Sequence, residues 1–199
     1  MLMMLIAYSG LACTGPRDGT AVGNPGNAGL IGQSEDGSRV HWDRATVRAK
    51  AAAAETEEGV LGGFLGEDLN LLRPSGAFIE LQRGRYEGVF LYIDALEMRG
   101  ETDSGVPVIL EVEPSRLCVE GDFRVLEDDA LLLLMPLDRI VDVDAVDEAG
   151  LERVYVGPDS SEGIQLAMDL ETLPELWRDM DRDGYVGPGD RLIQTNRAR

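Results

Sequence analysis

The chain has 199 residues, of which 44% are hydrophobic, and this is enough for one globular core with a small appendage. Its formal net charge is −19, from 37 acidic and 18 basic side chains. Nucleic acids and anionic membrane surfaces would repel such a chain, so the composition argues against both as partners and favours cations.

Residues 1–12 form an apolar run that is too short to span a bilayer but suits the hydrophobic region of a signal peptide. No Lys or Arg precedes the run, which indicates a translation start further upstream or a clipped chain. The residues from Gly10 to Cys13 resemble a bacterial lipoprotein lipobox, although an aliphatic residue is usual at the position of Gly10. The resemblance implies a lipidated Cys13 that anchors an exported protein in the cell envelope, at the outer membrane or cell surface. An ordinary secreted form and a packed N-terminal helix are the alternatives.

The chain has two cysteines, Cys13 and Cys118. If Cys13 carries a lipid, Cys118 is left alone between Leu117 and Val119 and is expected to be a small buried hydrophobe. A disulfide between the two is the alternative in an oxidising compartment. The spacing of these cysteines and the single histidine, His41, does not fit a zinc site.

Residues 13–43 are predicted to be the lipidated cysteine followed by a flexible tether, because glycine, asparagine, serine and proline dominate this stretch. His41, at its end, is expected to be an exposed or packed side chain and not a catalytic base. Residues 44–50 alternate weakly as in a strand, whereas four glycines between residues 59 and 66 predict an irregular connection over 59–68.

The stretch from residue 69 onward has apolar residues at a spacing of two, which predicts strands separated by turns. Residues 130–137 are almost continuously apolar and predict a strand buried on both faces. Short strands at this spacing predict a β-sandwich that spans residues 44–167. The other strands are expected at residues 77–81, 85–93, 106–113 and 123–125.

The order of these segments resembles a family of bacterial lipoproteins of unknown function that have an immunoglobulin-like β-sandwich. In that family a Gly-x-Tyr sequence opens a core strand, as Gly84-Arg85-Tyr86 does here, and the Thr20 to Gly26 stretch is similar to the family's linkers. The resemblance covers about residues 68–147 and brings no catalytic residues. The segments that carry it are 68–72, 84–89, 123–125 and 132–138.

Residues 179–190 match the calcium loop of an EF-hand. Gly184 lies at the sixth position, where the loop must turn sharply, and Tyr185 would contribute its backbone carbonyl. Val186 can pack inward while its neighbours hold the ion. Ca²⁺ prefers six to eight oxygen ligands, and carboxylates that alternate along a curled loop point toward one centre. Those carboxylates are Asp179, Asp181, Asp183 and Asp190.

Residues 168–199 are therefore predicted to form a short helix-loop-helix. The Thr172-Leu173-Pro174-Glu175 sequence reads as a capping box for the first helix, and Pro188 opens the second. Because the last ligand is Asp190 and not glutamate, the loop resembles the dockerin type, and we expect weak affinity, on the order of 10⁻⁴–10⁻³ M. An acidic surface turn is the alternative.

The chain is not expected to be an enzyme. His41 lies in the predicted tether, far in sequence from Ser160 and Ser161, so a hydrolytic triad is not indicated. Residues 141–146 alternate, so their aspartates are expected to share the solvent face of a strand as a charged edge rather than act as paired catalytic carboxylates. The aspartates in this stretch are Asp142 and Asp144, and Asp147 follows directly after it.

The predicted protein is a calcium-binding envelope lipoprotein that acts as a non-catalytic binding or adhesion module, with an unidentified protein or polysaccharide ligand. The alternative is a dockerin-like module that docks on a scaffold partner, against which the single loop counts. Burial of Leu192 and Ile193 on the chain's own fold would favour the first hypothesis, and their exposure the second.

Overall fold

The computed structural model describes residues 26–34 and 38–196. They form a mainly β protein of two sheets, with two helices and one short 3₁₀ turn in this described part. The predicted mainly β class is confirmed, and the two sheets are consistent with a β-sandwich. The strands are β1 (Gly26–Gln33), β2 (Val40–Thr56), β3 (Gly59–Asn70), β4 (Ile79–Leu81), β5 (Gly84–Thr102), β6 (Pro107–Val112), β7 (Arg116–Val125), β8 (Ala130–Pro136), β9 (Val154–Val156), β10 (Glu175–Arg178) and β11 (Arg191–Thr195). The 3₁₀ turn is Leu137–Arg139, and the helices are α1 (Val143–Glu148) and α2 (Ser161–Thr172).

Sheet A has the strand order β11-β10-β8-β1-β4. Its centre is β8, which pairs in parallel with β1 and antiparallel with β10. Six consecutive residues of β8, from Leu131 to Pro136, are buried, so the prediction of a strand buried on both faces is confirmed. Strands β10 and β11 pair with each other and leave β11 at the sheet edge.

Sheet B has the order β3-β2-β5-β6-β9, with β7 also paired to β5. The long β5 pairs with β2 on one side, while its other side pairs first with β7 and then with β6. Register shifts in β2, including one between Ala49 and Ala51, mark β-bulges. Such bulges increase the local twist of a long strand.

The main core consists of apolar side chains from both sheets, including Leu30 and Leu133 of sheet A and Leu91 and Met98 of sheet B. Tyr86 stacks on Phe123 with ring centroids 5.5 Å apart, and its hydroxyl donates to the Gln82 carbonyl. The period-two alternation of apolar residues produces this shared core, because it directs one side of each strand toward the facing sheet. In the described part of the chain, neither helix is long and apolar enough to span a bilayer.

The prediction of a flexible tether is wrong for residues 26–33 and 40–43. Residues 26–33 are β1, an interior strand of sheet A whose Ala28, Leu30 and Ile31 are fully buried. Small residues suit this position because β1 lies between β8 and β4, and glycine allows the close approach of Leu71 and Leu137 at Gly32. Residues 13–25 of the predicted tether, like residues 1–12 of the predicted signal peptide, lie outside the described residues.

Two further predictions of local structure are wrong. Residues 59–68 are not irregular, because they belong to β3. This strand pairs with β2 along most of its length, and the pairing stabilises a strand that its glycines do not favour. Residues 143–148 form α1 and not a strand, because the Asp142 carboxylate accepts a hydrogen bond from the Ala145 amide and caps the helix.

The predicted helix-loop-helix of residues 168–199 is also wrong. Helix α2 begins after Ser160, whose hydroxyl caps it, and ends at Thr172, where the capping box was expected to start a helix. Pro174 cannot donate a hydrogen bond to continue α2. The residues on either side of the acidic loop are strands β10 and β11, because Leu176 and Trp177 pair with β8 in sheet A.

Candidate metal centre

The acidic loop of residues 179–190 connects two neighbouring strands of sheet A, β10 and β11. The Asp179 amide donates to the Ala130 carbonyl at 2.9 Å, which extends the pairing of β10 with β8 to the first residue of the loop. The first predicted ligand is therefore attached directly to the sheet.

Asp179 is the most buried of the four predicted aspartate ligands, with 5% of its surface exposed. Its Oδ1 accepts from the Arg182 amide at 2.5 Å, and its Oδ2 accepts from the Gly184 amide at 2.9 Å. Arg182 and Gly184 have φ values of 63° and 83°, so the loop curls back over this carboxylate. A Cβ at Gly184 would lie 2.6 Å from the Pro74 side chain, which explains the need for glycine there.

Asp181 and Asp183 are exposed, and their carboxylates lie close to that of Asp179. One oxygen from each of the three carboxylates lies within 4.8 Å of the others. The structure therefore brings together the three aspartates predicted at alternating loop positions. Oxygens of this type at this separation are suitable ligands for a hard divalent cation, which would also offset the repulsion among the three charges.

Asp190 does not belong to this group of three carboxylates. Its Oδ1 accepts from the Met180 amide at 2.8 Å and its Oδ2 from the Gly187 amide at 2.6 Å, so it holds the two ends of the loop together. The Tyr185 amide donates to Asp183 Oδ1 at 2.8 Å. Asp190 thus has a demonstrable structural role in closing the loop, apart from any contact with a cation.

The second half of the loop is anchored to the surface of sheet A. Val186 packs against the small apolar cluster of Ile31, Leu132 and Leu134, which also includes Trp177. The predicted inward packing of Val186 is therefore confirmed. This contact gives the second half of the acidic loop an apolar base on the sheet.

Gln33 is a positioning residue that the sequence did not indicate. Its side-chain Nε2 donates to the Val186 carbonyl at 2.8 Å, and its Oε1 accepts from the Val186 amide at 2.9 Å. Because Gln33 precedes Val186 by 153 residues and lies in a stretch of glycine and asparagine, no local pattern links the two.

A second group missed by the sequence is the ion pair between Asp129 and Arg178. Arg178 Nε lies 2.9 Å from Asp129 Oδ1, and its Nη2 donates to Asp129 Oδ2 at 3.0 Å. Arg182 donates through Nη2 to the Asp128 carbonyl at 2.6 Å. Both contacts tie the start of the loop to the turn between β7 and β8.

The other acidic candidates are engaged in structural contacts. Asp144 and Asp147 both pair with Arg39, and Ser104 donates to Asp147 at 2.8 Å. His41 is exposed, and its Nε2 lies 2.8 Å from Oδ1 of Asp103, the residue that follows the neighbouring strand β5. Asp144 and Asp147 are therefore partners of Arg39 in ion pairs.

Cys118 is fully buried, as predicted, and it is a free cysteine. Its thiol donates to the Glu171 carbonyl at 3.2 Å, and burial raises its pKa. A raised pKa keeps the thiol protonated at neutral pH and therefore unreactive. Cys13, the predicted lipidation site, lies outside the described residues.

Comparisons with known protein families, with characterised proteins and with solved structures give no match.

Proposed function

We propose that the protein is a calcium-binding, non-catalytic binding or adhesion module of the cell envelope, in which Ca²⁺ bound by residues 179–190 stabilises the fold. The observation that carries this proposal is the convergence of the Asp179, Asp181 and Asp183 carboxylates within 4.8 Å in a loop that is anchored to sheet A. In the proposed site, Tyr185 contributes its carbonyl and Asp190 closes the loop.

The proposed role of Ca²⁺ is to fix the connection between β10 and β11. Three neighbouring negative charges destabilise the loop, and a divalent cation would neutralise them. Because β11 is an edge strand held on one side by β10, order in the loop favours pairing of β11. Cation binding would then be coupled to local stability.

Isothermal titration calorimetry with Ca²⁺ on the chain from Thr14 onward tests the proposal. We expect saturable one-to-one binding that Asp181→Ala abolishes and the matched exposed control Asp159→Ala leaves unchanged. If the affinity is on the order of 10⁻⁴–10⁻³ M, about 10 mM Ca²⁺ should stabilise the fold by about 1.4–2.7 kcal/mol. Absence of binding at this concentration, or equal binding by wild type and Asp181→Ala, contradicts the site.

The proposed envelope location rests on the resemblance of residues Gly10 to Cys13 to a lipobox. The proposal that the two sheets form an immunoglobulin-like sandwich rests on the family resemblance of residues 68–147. The chain with residues 1–13 included, expressed in a bacterial host behind its own upstream start, should partition into the detergent phase of Triton X-114. Cys13→Ala should move it to the aqueous phase. Equal partitioning of the two proteins contradicts lipidation at Cys13.

A second candidate function is docking on a partner protein through the loop. Its support is the exposure of apolar side chains on and beside the loop, at Met180, Tyr185 and Leu192. Against it, Ile193 packs on the protein's own core, and strands occupy the places of the two helices that a dockerin-like module requires. Leu192 is exposed, as the docking hypothesis expects, whereas Ile193 packs on the core, as the binding-module hypothesis expects. The strands on either side of the loop favour the binding-module proposal.

A further inference from the structure

Two exposed aromatic side chains lie near each other on strands β3 and β5, on the surface of sheet B that faces away from the main core. Phe64 on β3 is 83% exposed and Tyr92 on β5 is 39% exposed. Both are paired with Ala51 of β2, one from each side. Residues directly opposite each other on neighbouring strands point to the same face, so the two rings flank a small alanine at a Cα separation of about 10 Å.

Each of the two aromatic side chains lies against a neighbouring residue of the sheet. A Cβ at Gly66 would lie 2.7 Å from Cε1 of Phe64, so the ring occupies the space above this glycine. Tyr92 stacks on the buried Phe90, with ring centroids 6.5 Å apart and an interplanar angle of 22°. Phe90 is itself covered by the Arg116 guanidinium, 5.4 Å from its centroid. The sheet thus presents two rings to solvent.

An open depression of about 580 Å³ lies beside Phe64. Four of the five charged groups in its lining form ion pairs: Arg48 lies 3.5 Å from Asp68, and Lys50 pairs with Asp94. Glu67 adds one further carboxylate. Two cations and three anions leave this site close to neutral, and each group keeps hydrogen-bonding capacity beyond its ion pair.

We propose that the part of this surface formed by β3, β2 and β5, around Phe64 and Tyr92, binds a neutral carbohydrate chain. The apolar C–H faces of sugar rings stack on aromatic rings, and their hydroxyl groups form hydrogen bonds with charged side chains of either sign. An anionic ligand is disfavoured by the net charge of −19. A protein interface is less suitable, because ion-paired side chains interrupt the apolar surface and charged residues are depleted from interface cores.

This inference deepens the proposed binding role by naming a ligand class, but it does not require the calcium loop. Phe64, Tyr92 and the depression all belong to sheet B, whereas the loop lies on sheet A. The two proposals can therefore fail separately.

Affinity electrophoresis in native gels tests the inference. The probes are three soluble neutral polysaccharides, a mixed-linkage β-glucan, a galactomannan and an arabinoxylan, each compared with a gel that contains no polysaccharide. We expect at least one to retard the wild-type protein, and Phe64→Ala and Tyr92→Ala each to weaken that binding about tenfold. Tyr155→Ala is the matched control, because it removes a 54% exposed ring from β9 at the opposite edge of the same sheet.

No retardation by any of the three polysaccharides, or equal retardation of wild type and Phe64→Ala, overturns the inference. A change in oligomeric state on Phe64→Ala in the gel without polysaccharide would assign the face to contacts between copies, which also overturns it. Thermal unfolding of each variant establishes that it is folded. Repeating the gels in EDTA separates the proposals, since retardation that persists there supports the carbohydrate site even if calorimetry finds no calcium binding.

Discussion

The Asp179 carboxylate has a structural role before any cation is considered. It accepts hydrogen bonds from two backbone amides and is buried, whereas Asp181 is exposed. Removing the acceptor of these two partly buried hydrogen bonds costs about 1–3 kcal/mol. The two aspartates are therefore not equivalent, although they occupy equivalent places in the sequence pattern.

We expect Asp179→Ala to lower the free energy of unfolding by about 1–3 kcal/mol in EDTA, where no cation contributes. Asp181→Ala should change it by less than about 0.5 kcal/mol under the same conditions. Urea denaturation followed by fluorescence measures both. Equal destabilisation by the two variants would contradict the distinct role of Asp179.

Tyr86 is buried in the main core, and burial raises its pKa because the charged phenolate is disfavoured there. The folded state then holds the proton to a higher pH than the unfolded state. Stability from this group is fully present below the unfolded pKa of about 10 and is lost as pH rises through the higher folded value.

We therefore expect Tyr86→Phe to reduce the loss of stability above about pH 10 relative to the wild type. At neutral pH the variant should be less stable by about 1 kcal/mol, because the hydroxyl no longer donates to the Gln82 carbonyl. Urea denaturation over a pH series measures both effects, with the exposed Tyr185→Phe as control. An unchanged alkaline slope in Tyr86→Phe would show that this group does not control it.

At the scale of elements, β11 joins the two sheets through the residue that follows it. Asn196 Nδ2 donates to the Cys118 carbonyl at 2.6 Å and to the Thr172 carbonyl at 3.1 Å. Its Oδ1 accepts from the Glu120 amide at 2.8 Å. The last described residue of the chain thus links sheet A to β7 of sheet B and to the end of α2.

Asn196→Ala should accelerate amide hydrogen exchange at Glu120 and destabilise the protein by about 1 kcal/mol, since three hydrogen bonds at the sheet edge are lost. Exchange measured by NMR at the Leu91 amide, in the interior of β5, should change only with global stability. The surface variant Gln165→Ala provides the control. Unchanged exchange at Glu120 would show that Asn196 does not hold β11 to β7.

The molecule as a whole depends on β8, because this strand is paired on both sides and lies in the main core. Leu133 is fully buried there and is paired with Leu30 of β1 and Leu176 of β10. Its removal affects the interior of sheet A and the contact between the sheets at once.

Leu133→Ala should lower the free energy of unfolding by about 2–5 kcal/mol, the range for a leucine truncated in a core. Leu126→Ala, at a position that is 43% exposed, should change it by less than about 0.5 kcal/mol. Chemical denaturation with circular dichroism measures both. A loss below about 1 kcal/mol for Leu133→Ala would contradict the central place of β8 in the core.

Local patterns in the sequence determined the class of the protein and the group of carboxylates. Period-two alternation predicted most strands from residue 77 to residue 137, because alternation along one strand directly separates a buried from an exposed face. The spacing of Asp179, Asp181 and Asp183 predicted their proximity, since alternating residues of a tight loop point inward whatever flanks it.

Only the tertiary structure decided what surrounds these features. Glycine-rich β1 and β3 are strands because their neighbours supply hydrogen bonds and packing that their own propensities lack. The residues beside the acidic loop became strands for the same reason, since β8 offered an edge for Leu176 and Trp177. Contacts such as Gln33 with Val186 and Asn196 with Cys118 join distant parts of the chain, so no local pattern could contain them.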